Sequence, residues 1–225
     1  MEHIDKVSGT FDKRAQDAAK PTVSAAVIKR LPRYHRYLGD LIAAGRLRIS
    51  SAELSRIMGV TASQIRQDLN CFGGFGQQGY GYNVDFLQNE IAHILGLDVP
   101  QSAILIGVGN LGRAVAQHVN FESKGFHLIG MFDSKESLVG QMVRNIPIRH
   151  ISTLDEFCRE NRPSTAILCI PKTAAHDVAE QLIKLGVRGF LNFSHYDLSL
   201  DFSGIEVENI HFGDSLMRLS YKLNN

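Results

Sequence analysis

The chain has 225 residues, which is long for one domain and short for two large ones. Its 44% apolar share is that of a globular protein, and no run of about 18 apolar residues is present to span a bilayer. The net charge of +1 hides an asymmetry: residues 20–82 carry nine basic and three acidic groups, whereas residues 83–225 carry twelve basic and sixteen acidic ones. A basic module joined to a mildly acidic one predicts a polyanion partner for the first. Cys71, Cys158 and Cys169 are far apart and form no CxxC. That spacing argues against a disulfide framework or zinc site and fits a reducing cytoplasm; small buried residues are the favoured reading of the three, with one redox-sensitive thiol left open. Residues 1–20 are polar, lack the apolar stretch of a signal peptide, and read as a disordered extension.

Residues 23–49 open with a helix, placing Val27, Leu31, Tyr34, Leu38, Leu41 and Ile42 at three- and four-residue spacing. Pro32 is expected to kink or restart it, and Gly45 to end it. In "SSAELSRIMG", Ser50 and Glu53 stand at capping-box spacing, and Leu54, Ile57 and Met58 supply an apolar face. "TASQIRQDLNCF" repeats the pattern, with Thr61 and Gln64 as a second capping box and Ile65, Leu69 and Phe72 as the buried face. Ser63, Gln64, Arg66, Gln67 and Asn70 stay outside that face. Two short helices around a tight glycine turn are helix-turn-helix grammar. Small polar groups, amides and an arginine can meet base edges or phosphates in a major groove.

"FGGFGQQGYGYNV" follows at 72–84 with five glycines. No strand precedes it and no lysine or helix N-terminus closes it, so a phosphate cradle fits poorly. A two-stranded wing with its turn near Gly76–Gly79 fits better. A tip of Gln77-Gln78 can hydrogen-bond in a minor groove but releases no counterions. "VDFLQNEIAHILGLD" reads as an amphipathic connecting helix ending before Pro100.

"SAILIGVGNLGRAVAQHV" has the order strand, glycine turn, helix, and Gly107, Gly109 and Gly112 fit GxGxxG. "HLIGMFD" ends a second strand in Asp133, 21 residues past Gly112, where a carboxylate can hold an adenine-ribose 2′-OH and favour NAD over NADP. Lys135 softens that choice. Strands at "IPIRHI", "STAILCIP", "VRGFLNF" and "IEVENI" alternate with helices, and Pro171 falls beside the expected cofactor crevice. "DSLMRLSYKL" is a terminal helix with Leu216, Leu219 and Leu223 apolar and little in its own chain to pack on. The histidines are scattered and form no acid–base set, so a bound dinucleotide reads better as an effector than as a substrate. Two alternatives stay open: a regulator sensing another adenine effector such as an acyl-CoA, and a small NAD-dependent oxidoreductase.

Both modules together resemble the Rex family of redox-sensing transcriptional repressors. "KRLPRYHRYL", "ISSAELSRIMGVTASQIRQDLNCFGGFGQQGYGYNV", "ILGLD", "GVGNLGRAVA", "FDSKESLVG", "CIPKTAAHDVA" and "GVRGFLNF" carry the resemblance over roughly residues 22–223. It implies an α/β fold in which a winged-helix DNA-binding domain (21–84) and a connecting helix (85–100) precede a Rossmann-type parallel-sheet domain (101–210). A C-terminal helix (211–225) would be exchanged between subunits of a bacterial, cytoplasmic homodimer. Such proteins bind inverted-repeat operators, and NADH releases them while NAD⁺ competes. Ser63, Gln64, Arg66 and Gln67 would face the groove, with Arg33, Arg48, Ser50, Ser51 and Thr61 completing the DNA-binding set. Gly74, Phe75, Gln77, Gln78 and Tyr82 would form the wing. Gly107, Val108, Gly109, Asn110, Leu111 and Gly112 would hold the pyrophosphate, Asp133, Ser134 and Lys135 the adenosine, and Pro171, Asn192 and Phe193 the nicotinamide end. The chain departs from its relatives at Gln67, at Gln77-Gln78, at His118 where a tyrosine is common, and at Ser194-His195 where Ala-Pro is common.

Overall fold

A computed structural model describes residues 23–73, 75–77 and 80–224. The chain divides after Leu95 into two compact units.

In the first unit, helix α1 (Ala25–Ala43) is capped by Ser24, whose side chain accepts from the Val27 amide. Val27, Leu31, Tyr34 and Leu38 form its buried stripe. Pro32 lies inside one uninterrupted helix rather than restarting it. It removes a single backbone bond, while Leu31, Tyr34 and Leu38 pack on both sides of it. A short strand β1 (Arg48–Ile49) precedes α2 (Ser51–Met58). Both bonds of the Ser50–Glu53 capping box are made, and Gly59 closes α2 in the left-handed region. Leu54 and Met58 are buried, but Ile57 is 41% exposed and leaves the predicted apolar face. Helix α3 (Ala62–Asn70) buries Ile65 and Leu69. Its cap is half of the predicted box: Thr61 accepts from the Gln64 amide, while the Gln64 side chain turns to Asp68.

Strands β2 (Gly76–Gln77) and β3 (Gly81–Asn83) build the wing, and β1 pairs with β3 to make three antiparallel strands instead of two. Gly81 sits at φ +69, and a Cβ there would stand 2.6 Å from the Ile49 carbonyl oxygen, so the close approach of β1 requires glycine. The predicted wing residues Gly74 and Gln78 lie outside the described residues. Helix α4 (Val84–Ile94) places Val84, Leu87 and Ile91 in the same core as α1.

The second unit is a seven-stranded sheet. Its strands are β4 (Gln101–Ile106), β5 (Phe126–Asp133), β6 (Met142–Val143), β7 (Ile146–His150), β8 (Thr165–Leu168), β9 (Gly189–Asn192) and β10 (Glu206–Asn209). They run in the order β10-β9-β8-β4-β5-β7-β6, parallel except for β6. The six parallel strands have the doubly wound order, with the switch point between β4 and β8. The β6–β7 hairpin was not legible beforehand; it turns through Arg144 and Asn145, both at positive φ.

Helices α5 (Asn110–His118), α6 (Leu154–Asn161), α7 (Lys172–Lys184), α8 (Leu198–Asp201) and α9 (Phe212–Asn224) complete the unit. Ile104, Ile106, Phe132, Leu168 and Phe190 pack one sheet face against α6, α7 and α8. Ala103, Leu105, Met131 and Ile167 pack the other, where α5 contributes Ala116. Part of that second face stays open as an apolar groove of about 460 Å³ lined by Val119, Phe121, Ile167 and Leu191. Helix α9 buries none of its side chains.

Candidate nucleic-acid interface and dinucleotide site

Helix α3 presents Ser63, Arg66 and Gln67 on one exposed face, and Asn70 and Cys71 extend it. The Arg66 guanidinium donates to Ser51 Oγ at 3.0 Å, tying the face to the start of α2. Ser50 Oγ is committed to Glu53, so its hydroxyl serves the cap. Two further predicted cations lie elsewhere in this unit: Arg33 on α1, whose guanidinium lies 5.6 Å from the Tyr37 ring centre, and Arg48 on β1. Arg48 donates to the Tyr80 carbonyl and sits 6.0 Å from the Tyr80 ring. Arg48 thus brings a positive charge to the start of β3.

One predicted contact is corrected and a second is restricted. Tyr82 is only 8% exposed and belongs to the core, because alternation along β3 turns it inward while Tyr80 faces out. Gln64 is half-buried and its Nε2 donates to Asp68 Oδ1 at 2.7 Å, which leaves its carbonyl oxygen as the end a base could meet.

Asp68 is the residue that sequence reasoning missed. Its carboxylate is wholly buried. Arg30 donates Nε and Nη2 to its two oxygens at 2.7 Å each, and the Tyr34 hydroxyl donates at 2.9 Å. Burial alone would push this carboxyl up, but the Arg30, Gln64 and Tyr34 bonds outweigh it and hold the group below its ordinary value. Burial and the same bond push the Tyr34 phenol up. One ionised carboxylate therefore fastens α3 to α1 across 38 residues of sequence.

The glycine turn in the second unit is built from close approaches. Gly107 is at φ +90, and a Cβ there would meet the Cys169 carbonyl oxygen at 2.5 Å. A Cβ on Gly112 would lie 1.9 Å from the Gly107 oxygen. Gly109 differs: a Cβ there would meet nothing within 4 Å. Gly109 is the N-cap of α5 and makes no side-chain cap, no acid lies in the first turn, and Asn110 and Leu111 are exposed. The open space at Gly109 and the uncapped amides beyond it fit a pyrophosphate. Val108 is buried, and its amide donates to Asp133 Oδ2 at 2.6 Å. The other Asp133 oxygen accepts from the Lys135 amide at 2.9 Å. Asp133 is 8% exposed, so it braces the turn from beneath, while Ser134 and Lys135 are exposed beside it.

At the far end of the crevice, Pro171 is exposed as the N-cap of α7. Phe193 is half-buried, with its ring 6.3 Å from that of Phe212. Asn192 is a further correction. It is fully buried, donates to the Tyr196 carbonyl and Asn209 Oδ1, and accepts twice from Ser194. All its capacity goes into holding the β9–β10 end, leaving nothing to offer a ring.

A family model described as "Putative DNA-binding protein N-terminus" matches residues 22–70, and one described as "CoA binding domain" matches residues 98–196. The Redox-sensing transcriptional repressor Rex of Thermoanaerobacter sp. (strain X514) is 51% identical over 205 residues, covering 91% of both chains. This chain belongs to the Rex family. The Rex of Clostridioides difficile (strain 630) is 50% identical over 199 residues, covering 88% of this chain and 94% of its own. The crystal structure of RSP in complex with beta-NAD⁺ and operator DNA matches with a TM-score of 0.83 at 50% identity, over 90% of this chain and 93% of that one. RSP in complex with beta-NADH matches at 0.82 and 47%, over 90% and 95%.

The thiols of this Rex-family chain separate by environment. Cys158 is buried and its thiol is pushed up to about 11; burial pushes Cys169 up to about 12. Cys71 is exposed at the end of α3, contrary to the expected burial. Iodoacetamide at neutral pH is expected to modify Cys71 in the native protein and to reach Cys158 and Cys169 only in denaturant. Peptide mass spectrometry reads this, and native labelling of Cys169 would contradict it.

Proposed function

We propose that the chain is a homodimeric repressor that grips inverted-repeat operator DNA through α3 and the wing and lets go when NADH replaces NAD⁺. The observation that carries this is the joint presence of an exposed polar α3 face and an uncapped glycine turn, in a chain 50% identical to a repressor solved with both operator DNA and NAD⁺. Residues 21–84 are assigned to DNA, 101–210 to NAD(H) and 211–225 to dimerisation, with 85–100 connecting. Ser63, Arg66, Gln67 and the free carbonyl end of Gln64 would meet base edges, and Arg33 and Arg48 phosphates.

Gly109, Asn110 and Leu111 would take the pyrophosphate, with Asp133, Ser134 and Lys135 near the adenosine. When bound, the dinucleotide supplies a ring whose charge changes with oxidation state. Pro171 and Phe193 offer that ring an apolar edge. A neutral dihydronicotinamide enters such an edge without the desolvation cost of a cation. The effect is a population shift between a state that matches half-sites about one DNA turn apart and one that does not. The dinucleotide acts as an effector, in keeping with relatives named as redox-sensing repressors.

Helix α9 supports the dimer. Leu216, Leu219 and Leu223 form a stripe that is 51–77% exposed. The open groove on the sheet is mostly apolar, with Lys124, Glu206 and Glu208 in its lining, and α9 carries Asp214, Arg218 and Lys222. A partner's α9 matches that groove in apolarity. Among the described residues no helix is long and apolar enough to cross a membrane.

Fluorescence anisotropy of a labelled inverted-repeat duplex, titrated with NADH, NAD⁺ and coenzyme A, tests the reading. Release by NADH alone is expected. Release by coenzyme A, or binding that ignores every adenine ligand, would replace the redox reading. Consumption of NADH beyond stoichiometric binding would favour an oxidoreductase.

A further inference from the structure

We propose that Asp68 sets which bases the α3 helix accepts, by locking the Gln64 amide so that only its carbonyl oxygen is offered outward. This rests on the reading that α3 enters a major groove. A free glutamine recognises adenine with both ends of its amide, donating through Nε2 and accepting through Oε1. Gln64 lacks that freedom. Its Nε2 donates to Asp68 Oδ1 at 2.7 Å.

The orientation is forced by chemistry. An ionised carboxylate only accepts, so the amide end facing it must be the NH₂ end. The carboxylate is also saturated. Oδ1 accepts from Arg30 and Gln64, and Oδ2 accepts from Arg30 and Tyr34. Four donors fill its four acceptor positions. Releasing Gln64 would leave a wholly buried oxygen short of a donor, which the buried setting opposes.

Gln64 Oε1 can then pair only with a base-edge donor. In the major groove those donors are the N6 amino group of adenine and the N4 amino group of cytosine. Asp68 is thereby a positioning residue for specificity, although it sits beneath the DNA-facing surface.

The test uses the full-length chain and an inverted-repeat operator that it selects from a random duplex pool. Each half-site base pair is replaced in turn, including by analogues that lack the exocyclic amino group. Wild type is expected to lose about tenfold in affinity when one particular amino group is removed. Gln64→Ala should abolish that penalty at that position alone, leaving the Arg30–Asp68–Tyr34 bonds intact.

Asp68→Asn removes the charge and half of the acceptors, so the Gln64 amide is no longer held with Nε2 inward and can present either end. Preference at the same base pair should broaden to include guanine or thymine, which present acceptors there. The salt dependence of binding should stay unchanged, because no phosphate contact is touched. A purely structural Asp68 would lower affinity evenly at every position, and that result would overturn the proposal. So would a Gln64→Ala profile identical to wild type. This second variant decides the matter even if Asp68→Asn fails to fold. A wild-type chain that selects no operator would overturn both this inference and the reading beneath it.

Discussion

Gly112→Ala is expected to abolish the NADH response and to cost the second unit more than about 2 kcal/mol of stability. The added Cβ would stand 1.9 Å from the Gly107 carbonyl oxygen and 3.1 Å from Leu105 Cδ2. The first contact is backbone and cannot rotate away. Gly107 has little room to retreat, since its amide donates to the Phe132 carbonyl at 2.8 Å and the Cys169 oxygen closes its far side. The turn must shift bodily, and the Val108–Asp133 bond goes with it.

Gly109→Ala supplies the contrast. Its Cβ meets nothing in the free protein, and the φ of −68 suits alanine. Stability should stay within about 0.5 kcal/mol of wild type, yet the methyl fills the space a pyrophosphate needs. Thermal unfolding with and without NADH separates the two. Wild type should rise with ligand. Gly112→Ala should melt several degrees lower with no ligand shift, and Gly109→Ala should melt like wild type with the shift lost. If Gly109→Ala keeps the full shift, the pyrophosphate lies elsewhere. If Gly112→Ala melts like wild type, the tight approach is not what holds the turn.

This contrast also shows which parts of the molecule were readable in advance. The glycines at 107 and 112 encode close approaches over five residues, and such local constraints survive in a linear string. So does the capping box at Ser50 and Glu53, where both reciprocal bonds are made. Alternation along "YGY" held the signal that Tyr80 and Tyr82 face opposite ways, although a glycine-rich stretch masks it. Asp68 had no such signal. Periodicity assigns a helical aspartate to solvent, and only the return of α1, bringing Arg30 and Tyr34 from far along the chain, makes its burial tolerable. The direction of the Asp133 carboxylate depends likewise on a free amide 25 residues away. Asn192 turned inward because β10 brings Asn209 beside it. Position along the chain was legible in each case; the partner, which decides the role, was not.

Removing residues 212–225 is expected to convert a dimer into a monomer and to lower inverted-repeat affinity by about two orders of magnitude. Within one chain α9 gains nothing from burial: Phe212 is 60% exposed, Leu216 66%, and Leu223 77%. An exposed stripe of this kind is stabilised only by another surface, and the apolar groove beneath Val119 and Phe121 is open to receive it. Losing the dimer uncouples the two α3 helices. Each half-site must then be bound separately, without the raised effective concentration that a joined pair provides.

A double variant, Leu216→Glu with Leu219→Glu, guards against misfolding of the truncated chain. Both positions are exposed in the monomer, so the fold should persist while the stripe loses its apolar character. Light scattering after size exclusion gives the mass, and anisotropy on whole and half operators gives the coupling. The variant should bind a half-site as wild type does and lose only the gain from the second one. A variant that remains dimeric, with full affinity for the inverted repeat, would show that the two copies meet through another face and that the groove serves some other purpose.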